Sequence, residues 1–474
     1  MNSQPYGSAL AKNLPAAIPQ DRSYSTATAD TPLKPLVQAA QKPSHAVRLL
    51  QAFAFALVVI PGDVVLKPVG ADGYPAALIA YLLFIVWFAG TILGQHKPFS
   101  YQYPTRIALI LLWLVSLASY AVMNHALLTG IQVAAANRWF MQLLGMSAVV
   151  FVASEGLPTL EDVRRVLRAL IWAGAVCGVV AGLQFKGHLD LTTYIKIPGF
   201  TTNAAAATDA LIVARGAQSR VPGTGIDPIE MGVAMSMLLA LAIYMMMYDK
   251  ERPKWQRVVP VILIGVAVTT SISRSAVIAV LIAVGGLIIS FPPTRRLKGL
   301  AAFPVALGVI AMGAPGLIGT LVGFFIAAPT DPSVTHRTNN YPYVEQLVKG
   351  APWLGQGGGT YVPAFDTNVL DNEYLTLVIE LGLVGLAVLI FYLVWPAVCA
   401  FVARSRTNNP ELRDLCAALG AAELAAVATS ATFDSLSFPM FIDIQVLIVG
   451  LIGAVWQIVK NEANDVPRKI EGSR

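Results

Sequence analysis

The chain has 474 residues, of which 56% are hydrophobic and 13% charged, with a mean hydropathy of +0.63. Soluble domains carry about 25% charged residues, so this balance excludes a water-soluble enzyme and indicates an all-α polytopic membrane protein. The net charge of +6 fits basic loops that set membrane topology, so no nucleic-acid partner is implied.

Residues 1–47 are polar and rich in Pro, Ala, Ser and Thr, with no apolar run of the signal-peptide kind. They read as a disordered cytoplasmic tail. Membrane spans are predicted at 48–66, 74–94, 105–124, 138–154, 166–184, 228–248, 258–273, 275–291, 299–316, 375–403, 411–432 and 437–459, about twelve in all. The membrane domain is thus 48–460, and 461–474 is a cytoplasmic C-tail. Cys177, Cys399 and Cys416 fall in or at the edges of apolar spans and read as small buried residues.

With the N-terminus inside, the cytoplasmic segments collect most Lys and Arg, as the positive-inside rule requires. Both termini are then cytoplasmic, and two long loops, 185–227 and 329–373, are extracytoplasmic. The cations left outside divide into two sets. Lys67, Arg138, Lys186, Lys196 and Lys349 are scattered and read as solvated or at headgroups. Arg215, Arg220, Arg274 and Arg337 gather on polar turns, against the topological bias, and suggest an external anion site.

Four constellations carry these residues. Arg220 opens R-V-P-G-T-G-I-D-P, where Asp227-Pro228 predicts a capped helix start. An arginine beside a helix N-terminus suits a phosphate, although a capped interfacial loop accounts for the same residues. The alanine run Ala204–Ala207 together with Asp209–Ala217 is predicted as a surface helix. Arg274 lies in S-I-S-R-S-A between two spans, either as an anion clamp or as a snorkelling helix-end cation. His336-Arg337 precedes an amphipathic stretch, Tyr343–Lys349, and then Gly355-Gln-Gly-Gly-Gly359. No GK[ST] follows, so the glycines read as a hinge or close-packed turn and not as a nucleotide loop. Finally Asp371-Asn372-Glu373-Tyr374 opens an apolar helix. These residues suit caps, and equally a general base with sugar-orienting neighbours. Zinc- and serine-hydrolase motifs are missing, and no metal site or cofactor is called for.

In order and spacing, these motifs resemble the O-antigen ligase and O-antigen polymerase family of bacterial membrane glycosyltransferases. The matching pieces are R-x-x-G-T-G-x-x-P (Arg220–Pro228), S-R-S-A (Ser273–Ala276), P-W-L-G-Q-G (Pro352–Gly357) and N-E-Y-L…E-L-G-L-V-G (Asn372–Gly385). The resemblance implies transfer of a glycan from a polyprenyl (undecaprenyl-type) diphosphate to an acceptor hydroxyl at the outer face of the bacterial cytoplasmic membrane. The acceptor is a growing glycan, a lipid or a wall polymer, and the chain acts as polymerase or ligase. Ligases place a histidine where this chain has Asp371, which leaves Asp371 or His336 as the base. Catalytic roles then fall on Asp371, Arg337 and Arg220. Substrate binding falls on Arg274, Arg215, His336, Asn372, Glu373 and Tyr374. Arginines can neutralise a departing diphosphate without a metal, giving a metal-independent inverting transfer. The alternative is a transporter or flippase of a lipid-linked glycan. Apolar spans poor in charge, with Asp63, Glu380 and Asp443 as exceptions, argue against it. A non-catalytic scaffold leaves the polar outer loops unexplained.

The topology predicts that an impermeant thiol reagent labels Thr335→Cys in intact cells and spares Lys254→Cys. Labelling at 254 from outside would contradict the layout.

Overall fold

The computed structural model describes residues 44–94, 103–123, 128–202, 213–215, 218–302, 319, 339–363 and 369–471. The helices are α1 (His45–Val59), α2 (Pro75–Ile92), α3 (Thr105–Val122), α4 (Gly130–Gly156), α5 (Leu160–Gly187), α6 (Pro228–Tyr248), α7 (Lys254–Thr270), α8 (Arg274–Ser290), α9 (Tyr341–Gly350), α10 (Glu373–Arg406), α11 (Pro410–Thr429) and α12 (Pro439–Glu471). Short strands β1 (Val64–Leu66) and β2 (Phe200–Thr202) pair antiparallel, as do β3 (Val213–Arg215) and β4 (Gln218–Arg220).

Seven helices among the described residues, α2 to α6, α10 and the Pro439–Ala463 part of α12, are long and apolar enough to cross a membrane. The chain is therefore a multi-pass membrane protein. The predicted spans at both ends of the chain and between them coincide with helices, except 299–316, most of which lies outside the described residues. Helix starts follow short polar side chains that accept from the first free backbone amides. Thr129 and Gln132 form a reciprocal capping box on α4, and Thr159, Asp227, Ser273, Asn372 and Asn409 cap α5, α6, α8, α10 and α11.

Two predictions need correction. The first span does not reach 66: α1 stops at Val59, because Pro61 has no amide to continue the ladder, and β-branched Val64 and Val65 enter β1 instead. The surface helix over 209–217 is contradicted at 213–215, which forms the first strand of the β3–β4 pair. The fold is helical with these two small ribbons added.

Burial separates the centre from the lipid-facing rim. The apolar window of α12 is 83% buried and that of α6 78%, against 33% for α2. Around α6 pack α7, α8 and α11; around α12 pack α4, α10 and α11. Helix α5 crosses α7 at backbone distance, where a Cβ on Gly178 would lie 2.0 Å from the Leu263 carbonyl oxygen. Small residues permit such approaches between membrane helices. At one end of the bundle, ion pairs tie the helices: Arg106–Glu155 at 2.6 Å, Arg168–Asp249 at 2.9 Å, Arg295–Asp414 at 3.4 Å, and Arg164 with Glu411.

Helix α10 is broken at Gly382, which sits at φ 69°, ψ −169°. An unbroken helix would pair Leu383 and Val384 amides with the Ile379 and Glu380 carbonyls. Here those carbonyls accept instead from Gln356 N (3.0 Å) and Gly357 N (2.8 Å), while Leu383 N and Val384 N donate to Pro352 O (2.9 Å) and Trp353 O (3.2 Å). The Gly355–Gly359 segment is therefore the close-packed turn, and its function is to satisfy a broken membrane helix. Gly355 lies so close that a Cβ would come within 2.3 Å of the Glu380 backbone.

Gly382→Ala forces a side chain into a left-handed position, 2.4 Å from the Trp353 backbone. It should destabilise by at least ~2 kcal/mol, read as a lower thermal midpoint. Gly285→Ala, with no atom near its added Cβ and in mid-helix, should be neutral or stabilising by up to about 1 kcal/mol. Equal behaviour of the two would refute the joint.

Candidate active site

The arginine side is built by a turn and a helix start. Val221 N donates to Thr270 O (3.4 Å), which fastens the end of β4 to the end of α7. Gln184 then grips the turn from both sides: its Oε1 accepts from Gly223 N (2.8 Å) and its Nε2 donates to Gly223 O (2.9 Å). Gly223 needs its freedom there, at φ 61°. Asp227 accepts from Ile229 N at 2.5 Å and begins α6 with Pro228 in the first position. Arg220 is 12% exposed, with Nη2 3.9 Å from Asp227 Oδ1. Its buried Nε and Nη2 make no hydrogen bond. Burial disfavours its charge, and the Asp227 carboxylate partly restores it.

Thr270, to which that turn is bonded, leads directly into Ser271-Ile272-Ser273. Ile272 is fully buried at φ 44°. A β-branched residue is strained there, by roughly 1–3 kcal/mol. The kink sets half-buried Arg274 at the first position of α8. Helix N-termini repel cations and attract anions, so Arg274 and its own helix favour the same ligand. The structure thus brings the Arg220 and Arg274 segments together. For Arg215 it shows only a place in β3. His336 and Arg337 lie outside the described residues.

The carboxyl side opens α10. Asp371 has φ 47°, a region that Asp tolerates better than most side chains. Asn372 Oδ1 accepts from Tyr374 N (3.0 Å), so its amide is a helix cap. The Tyr374 hydroxyl donates to Val427 O (2.7 Å). Glu373 is 2% exposed; its amide donates to Ser430 O and Phe433 O, and its Oε2 accepts from Leu436 N at 2.8 Å. Glu373 thus straps the 430–438 loop onto α10, and Tyr374 ties α10 to the end of α11.

That loop carries Asp434, which sequence reasoning missed. Burial pushes its carboxyl up to about 6, and the charges of Asp371 and of Asp227 push the same way. Asp434 thus stands in electrostatic reach of both Asp371 and the carboxylate that faces Arg220. The available signal was an acidic and hydroxyl-bearing link, Thr432–Ser437, between two apolar helices; the span prediction reduced it to a short connection.

Beside these groups lies a cavity of about 720 Å³, walled by the starts of α2, α4, α10 and α12 and by residues 359–363. Asp434 and Glu373 line it, and so do Asp72, Glu380 and Asp443. Arg138, exposed as expected of a solvated cation, also lines the cavity. Neither Arg220 nor Arg274 lines it; Arg220 stands 3.9 Å from Asp227, the residue after the lining Ile226. The spans are also richer in buried acid than predicted: Glu230 and Glu423 are both fully buried in α6 and α11. Among the described residues, no group of three His, Cys, Asp or Glu side chains is placed to share a metal ion.

Comparison with known families matches residues 259–390 to the family described as O-antigen ligase. The match runs from α7 through the Arg274 turn, the glycine turn and Asp371 into the first half of α10. It leaves Arg220, Arg138 and Asp434 outside. No curated protein matches the chain.

Proposed function

We propose that this chain, whose residues 259–390 match the O-antigen ligase family, transfers a glycan from a polyprenyl diphosphate to an acceptor hydroxyl in cell-surface glycan assembly. The observation that carries this reading is Arg220, a nearly buried guanidinium with two unused nitrogens, fastened beside the strained turn that presents Arg274. Buried donors without acceptors are costly, and a diphosphate oxygen is the acceptor that suits them.

In this account the lipid-anchored diphosphate rests between Arg220 and Arg274 at headgroup depth, with Arg337 as a third clamp. The acceptor hydroxyl attacks the sugar carbon from the side opposite the diphosphate. One bond forms as the other breaks, so the configuration inverts and no covalent enzyme intermediate arises. Negative charge grows on the departing diphosphate, where planar guanidinium groups neutralise it without a metal. The hydroxyl proton passes to the Asp371–Asp434 pair. An ordinary aspartate, with a pKa of about 3.9, is a weak base; Asp434, pushed up to about 6, is the better matched member. His336 remains the rival base. The membrane is the bacterial cytoplasmic membrane, with the site on its outer face, where lipid-linked glycans are consumed and nucleotides are lacking.

One observation favours a second reading. Buried acids in α6, α11 and α12, namely Glu230, Glu423 and Asp443, are the kind of intramembrane charge that transporters use. Purified protein given a polyprenyl-diphosphate glycan separates the two: the transferase releases free polyprenyl diphosphate, whereas a transporter returns the donor intact.

In that assay Arg220→Ala should lose about 10²–10³-fold in turnover, and Arg220→Lys should stay impaired because the planar fork is lost. Wild-type turnover in Arg220→Ala would reduce Arg220 to a structural residue. Full activity is expected in EDTA; loss that Mg²⁺ restores would overturn the metal-free step. The base must be ionised, so the rate should rise with pH through about 6, following the raised Asp434 carboxyl. Asp434→Asn should lower the rate by about 10²-fold or more and remove that limb. If it keeps both rate and limb while His336→Ala does not, the base is His336.

A further inference from the structure

The cavity beside the site has a chemistry of its own. Its volume of about 720 Å³ falls within the roughly 300–1,000 Å³ range of small-molecule sites. Its polar wall is dominated by acceptors. Asp443, in the second turn of α12, is 8% exposed and lines the cavity. The Tyr74 hydroxyl bonds to its carboxyl, yet Asp443 Oδ2 has no partner. A buried acceptor left open at a cavity wall calls for a donor from whatever fills the space. Gln142 donates its Nε2 to Leu436 O at 2.7 Å, so the free end of that amide is again an acceptor. The cation on the wall, Arg138, acts on Asp72 across the cavity mouth and is thereby offset.

The cavity also carries a flat apolar face, the half-buried ring of Tyr81; the Trp139 ring on the same lining is buried under Gly358. A ring beside open acceptors is what a pyranose requires, since a sugar has C–H faces and a rim of hydroxyl donors. A phosphate or carboxylate, in contrast, would face Asp72 and Asp434, while the lining cation Arg138 already acts on Asp72.

We infer that this cavity is a glycan site that takes a non-acidic sugar segment, through hydroxyl or ammonium hydrogens given to Asp443, and turns away acidic ones. The inference rests on the transfer reading for its place in the reaction: the diphosphate stays at the arginine edge, and the sugar enters the acidic chamber.

The test is binding by the full chain in nanodiscs to fluorescently labelled tetrasaccharides of equal length: neutral N-acetylated chitotetraose, its cationic deacetylated form, and acidic tetragalacturonate. The neutral and cationic probes should bind, and the acidic probe at least 10-fold more weakly. Asp443→Asn should weaken both binders about 10-fold. Asp72→Asn, a change in a partly exposed loop, should narrow the gap for the acidic probe, and it keeps the proposal testable if Asp443→Asn fails to fold. The proposal is overturned if tetragalacturonate binds as tightly as the neutral probe, if no probe binds, or if folded Asp443→Asn binds like wild type. Because this readout needs no turnover, a wild-type protein that binds in the stated order yet releases no polyprenyl diphosphate would sink the transfer reading and leave the site standing.

Discussion

The break in α10 at Gly382 is the constraint on which the rest of the site depends. A membrane helix cannot leave backbone groups unpaired in an apolar surrounding. The two lost helical bonds are replaced by four bonds to residues 352–357, and Ser119 adds one more to Glu380 O at 3.1 Å. The glycine turn is thereby fixed against α10, and Gly358 and Gly359 can lie directly on Trp139 and Ala135 of α4. The same joint that repairs the helix therefore supplies one wall of the cavity. It also leaves the first segment of α10, Glu373–Leu381, to be aimed separately from the long segment that follows.

That first segment is held at its start by Glu373, which binds the 430–438 loop, and by Tyr374, which binds the end of α11. The loop in turn sets Asp434 between Asp371 and the Arg220–Asp227 end of α6. Glu230 ties the remaining side, its carboxylate accepting from Ile226 N (2.8 Å) and Met440 N (2.6 Å). Buried carboxylates thus act as backbone staples between the starts of α6, α10 and α12. These helices converge with their N-termini on one region, which is a setting for negative charge. Arg220 stands beside that region and the acids line it, which is why the proposal gives anion and sugar different places.

Much of this was legible in the sequence where a pattern is local. Apolar runs located the helices, and Asp227-Pro228 and Asn372 announced their caps. The glycine turn was read as hinge or close packing, and close packing is what it provides. The failures were non-local. Pro61 marked the early end of α1, but the length of the apolar run masked it. Nothing in residues 213–215 alone distinguishes a helix from a strand that pairs with 218–220. Arg138 is one cation inside α4 and Asp434 one acid in a short polar link, and only the packing of α4 against α12 and of the loop against α10 reveals that they share a cavity. Asn372, read both as a cap and as a sugar contact, does cap α10, and the Tyr374 hydroxyl donates to Val427 O.

The central claim is a division of labour: diphosphate at Arg220 and Arg274, sugar in the chamber lined by Asp434 and Asp443. The most direct measurement is a cryo-electron microscopy structure of the protein in nanodiscs with a polyprenyl-diphosphate glycan, trapped by Asp434→Asn. The account predicts paired phosphate density touching both arginines, with sugar density running past residue 434 towards Tyr81. Phosphate density inside the acidic chamber, or at the basic end formed by Arg164, Arg168 and Arg295, would contradict it.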